Sequence, residues 1–313
     1  MRSAHRRPGT ALLIIGGLLS VPACRHQTAA NAGLVVPFTL DRHRVIVPTR
    51  INGSHPLRLI LDTGMRFDGV YLFRRELANE IDMSGATEVR VPGAGSGEAS
   101  TARMIESGSL TFGEVTVNGQ RVMISQSPLT QSFRTDGVLG WNLFGHYAVE
   151  IDYDREVILL RDTSAVAPDS SWTVVPVTMR DNLPFLEATV EVTPGERVAV
   201  TLYVDLASGD ALEMLVHDRQ RYTMPDNLEP SYLGTGLSGD IHGWKGSTRN
   251  LWIGRYRLSR IPTSFAPAAV RSKQQGADGV LASGCMSRFN TIYDYVHSRL
   301  YLRPSKYYDV PIE

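Results

Sequence analysis

Apolar and polar positions alternate along the chain in short runs with a period of two: Val45–Pro48, Leu57–Leu61, Val115–Ile124, Val149–Leu160, Thr173–Val177, Leu186–Val192 and Val198–Val204. A period of two sends successive side chains to opposite faces of an extended strand. Between the runs lie turn-forming pairs of the Asn-Gly, Asp-Asn and Pro-Gly kind. Helical spacing is confined to Leu72–Glu80 and Asp218–Tyr222, with a further turn expected after Gly140. The pattern predicts a mainly β protein of closed or semi-closed barrels with few short helices.

The pattern also repeats. Asp136-Gly137-Val138-Leu139 returns as Asp278-Gly279-Val280-Leu281, and each is followed sixteen residues later by an aspartate-tyrosine pair, Asp152-Tyr153 and Asp294-Tyr295. Upstream, an alternating apolar strand ends in an aspartate in both halves, at Asp62 and at Asp205. The spacing from that aspartate to the repeated tetrapeptide is 74 residues in one half and 73 in the other. Between the two landmarks each half has a glycine-rich tip, Gly93–Gly97 and Gly234–Gly239. Landmarks that stay in register within one residue predict two homologous lobes, over 35–162 and 172–313, joined by a linker at 163–171 rich in Ser, Ala, Pro and Asp. Asp136 and Asp278 read as turn formers, and Asp152 and Asp294 as surface hairpin residues. The tips read as hairpins over a cleft. Gly234-x-Gly236-x-x-Gly239 also fits a dinucleotide fingerprint, but Asp240-Ile241-His242-Gly243 does not begin the helix that such a site needs.

Residues 1–23 stand apart from this plan. Arg2, Arg6 and Arg7 precede an apolar run from Ala11 to Leu19, too short to span a bilayer, and small residues follow to Ala23. This is the layout of a secretory signal. Val21-Pro22-Ala23-Cys24 resembles the lipobox of bacterial lipoproteins, which implies a mature chain acylated at Cys24. The alternative is plain secretion with cleavage near Ala29 or Ala30. Residues 24–34 then form a flexible tether. The expected location is outside the cytoplasm, in the cell envelope, with the lipid-anchored chain facing the periplasm.

Composition narrows the chemistry. Of 313 residues, 32 are Lys or Arg and 32 are Asp or Glu, so the chain has no general positive field with which to neutralise nucleic acid phosphates. Removing the leader with its three arginines takes the net charge from 0 to −3, so membrane attachment must come from the lipid rather than from a basic face. The eight histidines never fall at the spacing of a zinc helix, and no cofactor or metal is expected. Cys285, in an apolar setting, reads as a buried small hydrophobe rather than half of a disulfide. Arg74-Arg75 reads as a solvated helix face. Trp141, Trp244 and Trp252 read as core or interlobe packing, with Trp244 the best candidate among them for the cleft.

A strand-end carboxylate followed by Thr63-Gly64 sits where the backbone turns sharply and where glycine admits another segment closely. Leu61-Asp62-Thr63-Gly64 with Val138-Leu139-Gly140 resembles the Asp-Thr-Gly and hydrophobic-hydrophobic-Gly pair of the pepsin and retropepsin aspartic peptidases. The resemblance extends from about Val45 to Leu302, because both lobes show the plan. It implies two pepsin/retropepsin-like β-barrel lobes related by pseudo-two-fold symmetry, with Asp62 and Asp205 as the catalytic dyad and Thr63 and Gly64 supporting it. It also implies an aspartic-type endopeptidase acting on a peptide or protein substrate through a water held between the carboxylates, in a chain that works as a monomer. Like charges held close cannot both ionise, so one carboxyl stays protonated while the other acts as base. The second lobe departs from the pattern: Leu206 and Ala207 replace Thr and Gly, and Ala282-Ser283 replaces the glycine after Leu281. Two alternatives therefore stay open, a catalytically silent peptide-binding module and a dyad formed across a homodimer. Asp-Thr-Gly is also ordinary turn chemistry, which leaves a purely structural Asp62 as the plain alternative.

Overall fold

The computed structural model describes residues 34–312, apart from 219, 220, 227, 273 and 275. The leader, Cys24 and the tether up to residue 33 lie outside the described residues. In the first lobe six strands close on themselves. Arg44–Ile51, Leu57–Leu61, Gly137–Leu139, Gly69–Leu72, Val115–Ser125 and Ser100–Phe112 follow one another, and the last pairs back with the first. Leu183–Glu191, Arg197–Asp205, Gly279–Ala282, Leu212–Val216, Tyr256–Pro267 and Gly239–Ile253 repeat the ring in the second lobe. Each ring carries two further edge strands. The two homologous barrels expected from the repeat are thus present.

The repeated tetrapeptide explains how each ring closes. In lobe one, Gly137–Leu139 runs parallel to Leu59–Leu61; in lobe two, Gly279–Ala282 runs parallel to Leu202–Asp205. Asp136 accepts the Arg58 N–H at 2.8 Å and Asp278 accepts the Thr201 N–H at 2.9 Å, so each aspartate pins the start of one strand to the middle of the other. Expected as turn formers, both instead use their side chains to bridge to a neighbouring strand far away in sequence. Hydrophobic residues on these strands are fully buried, among them Leu59, Leu61, Val204 and Leu281, which fixes the register at both strand-end aspartates.

A third sheet joins the lobes. Its six strands run in the order Leu34–Pro37, Val157–Arg161, Ala148–Asp152, Phe289–Asp294, Arg299–Pro304 and Thr173–Pro176. Val149 pairs with Tyr293, Glu150 with Ile292 and Ile151 with Thr291, so the seam between lobes is a pair of equivalent strands meeting about their own two-fold. Asp152 and Asp294 lie at the ends of these strands and are buried, not at the surface as expected. Their side chains instead hold the tight turns that follow. Asp152 Oδ1 accepts the N–H groups of Asp154 and Arg155, and Asp294 pairs with His297 at 2.8 Å.

Other expectations need correction. Val149–Leu160 is not one strand but a hairpin, turning through Glu156 at φ 57°. Leu72–Glu80 is the end of a strand followed by a short 3-10 turn, Arg75–Asn79, and the described residues of Asp218–Tyr222 form bends rather than a helix. Arg74 does not face solvent freely; its Nε donates to Asp136 at 2.9 Å. The turn after Gly140 is present as a helix, Trp141–Phe144, and recurs as Ser283–Met286 in lobe two. Cys285 is fully buried, and burial pushes its thiol up to about 12. Among the described residues no helix is long and apolar enough to cross a membrane.

Candidate active site

Asp62 and Asp205 close the paired strands of their lobes, and the lobes meet at these ends. The Thr63 hydroxyl carries that meeting. It donates to the Val204 carbonyl at 2.7 Å and accepts the Leu206 N–H at 3.1 Å, gripping the backbone on both sides of Asp205. Leu206 cannot return the grip. Its side chain is fully buried in the main core, and its carbonyl accepts instead from the Ser283 hydroxyl at 2.6 Å. Ser283, the residue after the Ala282 that stands where a glycine was expected, therefore braces the second lobe from within.

Close approach explains two glycines. A Cβ on Gly140 would lie 2.1 Å from the Asp62 carbonyl oxygen, and one on Gly64 would lie 2.2 Å from the Tyr203 hydroxyl. The first lobe tolerates no side chain at either place, whereas the second accommodates Ala282 and Ala207. Turns of each lobe also reach across to the other. Asn182 Nδ2 donates to the Arg66 carbonyl at 2.9 Å, and Arg66 pairs with Asp181. In the related place, Gly209 lies against Arg42.

The two carboxylates have different surroundings. Asp62 is half-buried, and its Oδ1 accepts the Gly64 N–H at 2.6 Å. Burial and then the charge of Asp205 raise its pKa to about 8, against the opposing pull of the Gly64 N–H and of Arg271. Asp205 is buried, accepts the N–H groups of Ala207 and Ser208 at Oδ1, and pairs through Oδ2 with Arg271 Nη1 at 3.3 Å. Arg271 also reaches Glu213, Nε to Oε1 at 2.8 Å. Burial works against the guanidinium charge, but Glu213 and Asp205 outweigh it and leave the Arg271 pKa raised. Sequence reasoning missed both residues. The signal available for Glu213 was a charge set in the apolar strand Leu212–Val216; Arg271 had none.

The glycine-rich tips meet. Ser238 donates its N–H to the Ala94 carbonyl at 2.9 Å, its Oγ accepts from Gly93 N–H at 3.2 Å, and its carbonyl accepts from Gly97 N–H. Gly95 N–H reaches the Val270 carbonyl at 3.1 Å, which ties the first tip to the turn that carries Arg271. Trp244, the best candidate of the three for the cleft, packs partly buried against the main core, in line with its reading as core packing. Trp141 stacks on Tyr295 of the other lobe with ring centroids 6.4 Å apart, the interlobe packing expected of it.

Comparison with known proteins agrees with this geometry. The family model described as aspartyl protease matches residues 47–143, most of the first lobe. No curated protein matches the chain in sequence. Among solved structures, the aspartic proteinase from Irpex lacteus superposes with a TM-score of 0.57 at 14% identity, covering 90% of this chain and 100% of that one. A sequence match in the first lobe and a shared fold across both make the chain similar to the pepsin-like proteinases and place it on the plan of the bilobal aspartic peptidases.

Proposed function

We propose that the chain is an aspartic-type endopeptidase that hydrolyses peptide bonds by means of a water activated between Asp62 and Asp205. The observation that carries this reading is the Thr63 grip, which binds the backbone of one strand-end aspartate to that of the other at the lobe junction. One carboxylate accepts a proton from water as its oxygen attacks the scissile carbonyl carbon, and the other carboxyl donates a proton to the carbonyl oxygen. Collapse of the resulting diol breaks the C–N bond, the amine nitrogen leaves with a proton from the first group, and a diol hydroxyl returns a proton to the second. Thr63 and Gly64 hold Asp62 in place. The substrate is a peptide or protein segment lying between the lobes beneath the glycine tips.

One observation favours the rival binding module: the grip is one-sided, since Leu206 offers no hydroxyl. The seam argues against a dyad built across two chains, because the strand Ala148–Asp152 already has its partner within the same chain. On the leader's composition we further propose that the mature chain is anchored in the cell envelope through acylated Cys24, and on the seam formed within one chain that it is a monomer.

Incubation of the mature protein with a diverse peptide library between about pH 3 and 9, read by mass spectrometry, tests the hydrolase reading. Cleavage by wild type that is lost in both Asp62→Asn and Asp205→Asn supports it. Binding without cleavage makes the module the better account. An active Asp205→Asn beside a dead Asp62→Asn, with activity dependent on protein concentration, moves the dyad to a dimer.

A further inference from the structure

The two lobes repeat each other closely, yet the ground beside their aspartates differs in kind. In lobe one the pair Val70 and Leu139 corresponds to Leu212 and Leu281 in lobe two. The next residue along is Tyr71 in the first case and Glu213 in the second. Tyr71 donates to Ser125 Oγ at 2.9 Å, and Thr130 Oγ1 lies 2.9 Å from that same oxygen. This network is neutral. In lobe two the same region holds Glu213, Arg271 and Asp205 in a buried ionic chain. Thr130 precedes its turn-forming aspartate by six residues and Arg271 precedes its own by seven, so the cation stands close to where the neutral hydroxyl would be.

We propose that Arg271 is a positioning residue that makes the dyad unequal: it holds Asp205 as the carboxylate and leaves the proton of the pair on Asp62. Resting on the hydrolytic reading, this assigns the roles. Asp205 takes the proton as the water O–H breaks and the new C–O bond forms, while Asp62 gives its proton to the carbonyl oxygen. On collapse the proton on Asp205 goes to the leaving nitrogen as C–N breaks, and the diol hydroxyl returns a proton to Asp62, restoring both groups.

The charges facing the pair agree with that placement. Arg271 contacts Asp205 directly and Asp62 not at all within hydrogen-bond distance, so its attraction falls mainly on one side of the dyad. Glu213, buried on the strand Leu212–Val216, offsets part of the guanidinium charge from the far side. Asp210 has a raised pKa, through burial and then the charge of Glu213, and its Oδ2 accepts from the Ser264 hydroxyl at 3.2 Å rather than from Arg271. Lys245, on the strand Gly239–Ile253, acts on Asp210. The phenols of Tyr203 and Tyr295 stay neutral, since burial pushes both well above their ordinary range. Arg66, the remaining nearby cation, is spent on Asp181. A second negative charge on Asp62 would have no ion-pair partner of its own, in keeping with its retention of a proton up to about 8.

The test reads the carboxyls themselves. Protein labelled with ¹³C at the aspartate side-chain carboxyl is titrated by NMR, with Asp62→Asn and Asp205→Asn assigning the signals. At pH 6 the Asp62 signal is expected at the protonated position and the Asp205 signal at the ionised one. The double variant Arg271→Gln/Glu213→Gln removes the cation from Asp205 without stranding the Glu213 carboxylate, so that the one negative charge left is that of the aspartate pair itself. It is expected to spread the proton over both carboxyls and to move the acid limb of the peptide-hydrolysis profile upward by about one pH unit or more. Arg271→Lys, which keeps the charge, should restore the wild-type order. Asp205 protonated at pH 6 in wild type, or a double variant with wild-type signals, would overturn the inference. If the double variant does not fold, the wild-type titration decides alone. Split signals in a protein that cleaves no peptide uphold the proton placement and sink the hydrolase reading.

Discussion

The proton held on Asp62 couples the stability of the fold to pH, and Asp62→Asn severs that coupling. The carboxyl moves from an ordinary 3.8 to about 8 on folding, driven by burial and then by Asp205. Between those values the folded chain keeps a proton that the unfolded chain has released. Stability from this group is therefore fully present below pH 3.8 and drains away as pH rises toward 8. At about 1.4 kcal/mol per pH unit, the window is worth at most about 5–6 kcal/mol, of which roughly 4 fall between pH 5 and 8. Asparagine retains an oxygen for the Gly64 N–H, which lies 2.6 Å from Asp62 Oδ1, and removes both the titration and the repulsion from Asp205. Urea unfolding of wild type and variant at matched pH values reads the titration of the Asp62–Asp205 pair, because the groups outside the pair are common to the two. The stability difference should grow in favour of Asp62→Asn by up to about 4 kcal/mol from pH 5 to pH 8, at unchanged denaturant slope. Curves that run parallel across that range would refute the reasoning, since they would mean that Asp62 ionises alike in the folded and unfolded chains.

Four further outcomes follow from the geometry. Thr63→Val unpairs the Leu206 N–H and the Val204 carbonyl inside the lobe junction and should cost about 2–4 kcal/mol in urea unfolding, against about 1–2 for Ser283→Ala, which unpairs one carbonyl. Gly140→Ala drives a methyl against the Asp62 carbonyl and should abolish peptide hydrolysis with a marked loss of Tm, while Ala282→Gly at the related place in lobe two should cost only about 1 kcal/mol. A Cβ on Gly236 would lie 2.1 Å from the Ala94 carbonyl, so Gly236→Ala should part the tips and speed hydrogen exchange at the Ser238 and Gly97 amides, measured by mass spectrometry. Cys24→Ser should move the protein from the membrane to the soluble envelope fraction; unchanged fractionation would refute the lipid anchor.

Much of the architecture could be read from the residues because it rests on local periodicity and on repetition. Alternating runs gave strands, and four landmarks in register gave two lobes. What escaped were features created when distant segments meet. The third sheet is one: its strands read as ordinary hairpins, so Asp152 and Asp294 looked exposed until Phe289–Asp294 was found against Ala148–Asp152. The partnership of Arg271 with Glu213 is another, since the two are 58 residues apart and neither neighbours a motif. Leu206 and Ala207 signalled that the second lobe is braced differently. The replacement, a Ser283 hydroxyl on the Leu206 carbonyl, depends on backbone positions that spacing alone does not reveal.

The seam between the lobes bears on how the chain could have acquired its unequal site. Val149 opposite Tyr293 and Ile151 opposite Thr291 form a register that maps onto itself when the lobes are exchanged, which is the pairing two identical single-lobe chains would adopt. In such a homodimer every substitution is made twice. An arginine and a glutamate beside one aspartate would also stand beside the other, and both carboxylates would be charge-compensated alike. Fusion into a single chain lifts that constraint. One copy can keep the tyrosine and serine network while the other takes on an ionic chain, so the symmetry of the scaffold survives in its strands after it has been given up in its electrostatics.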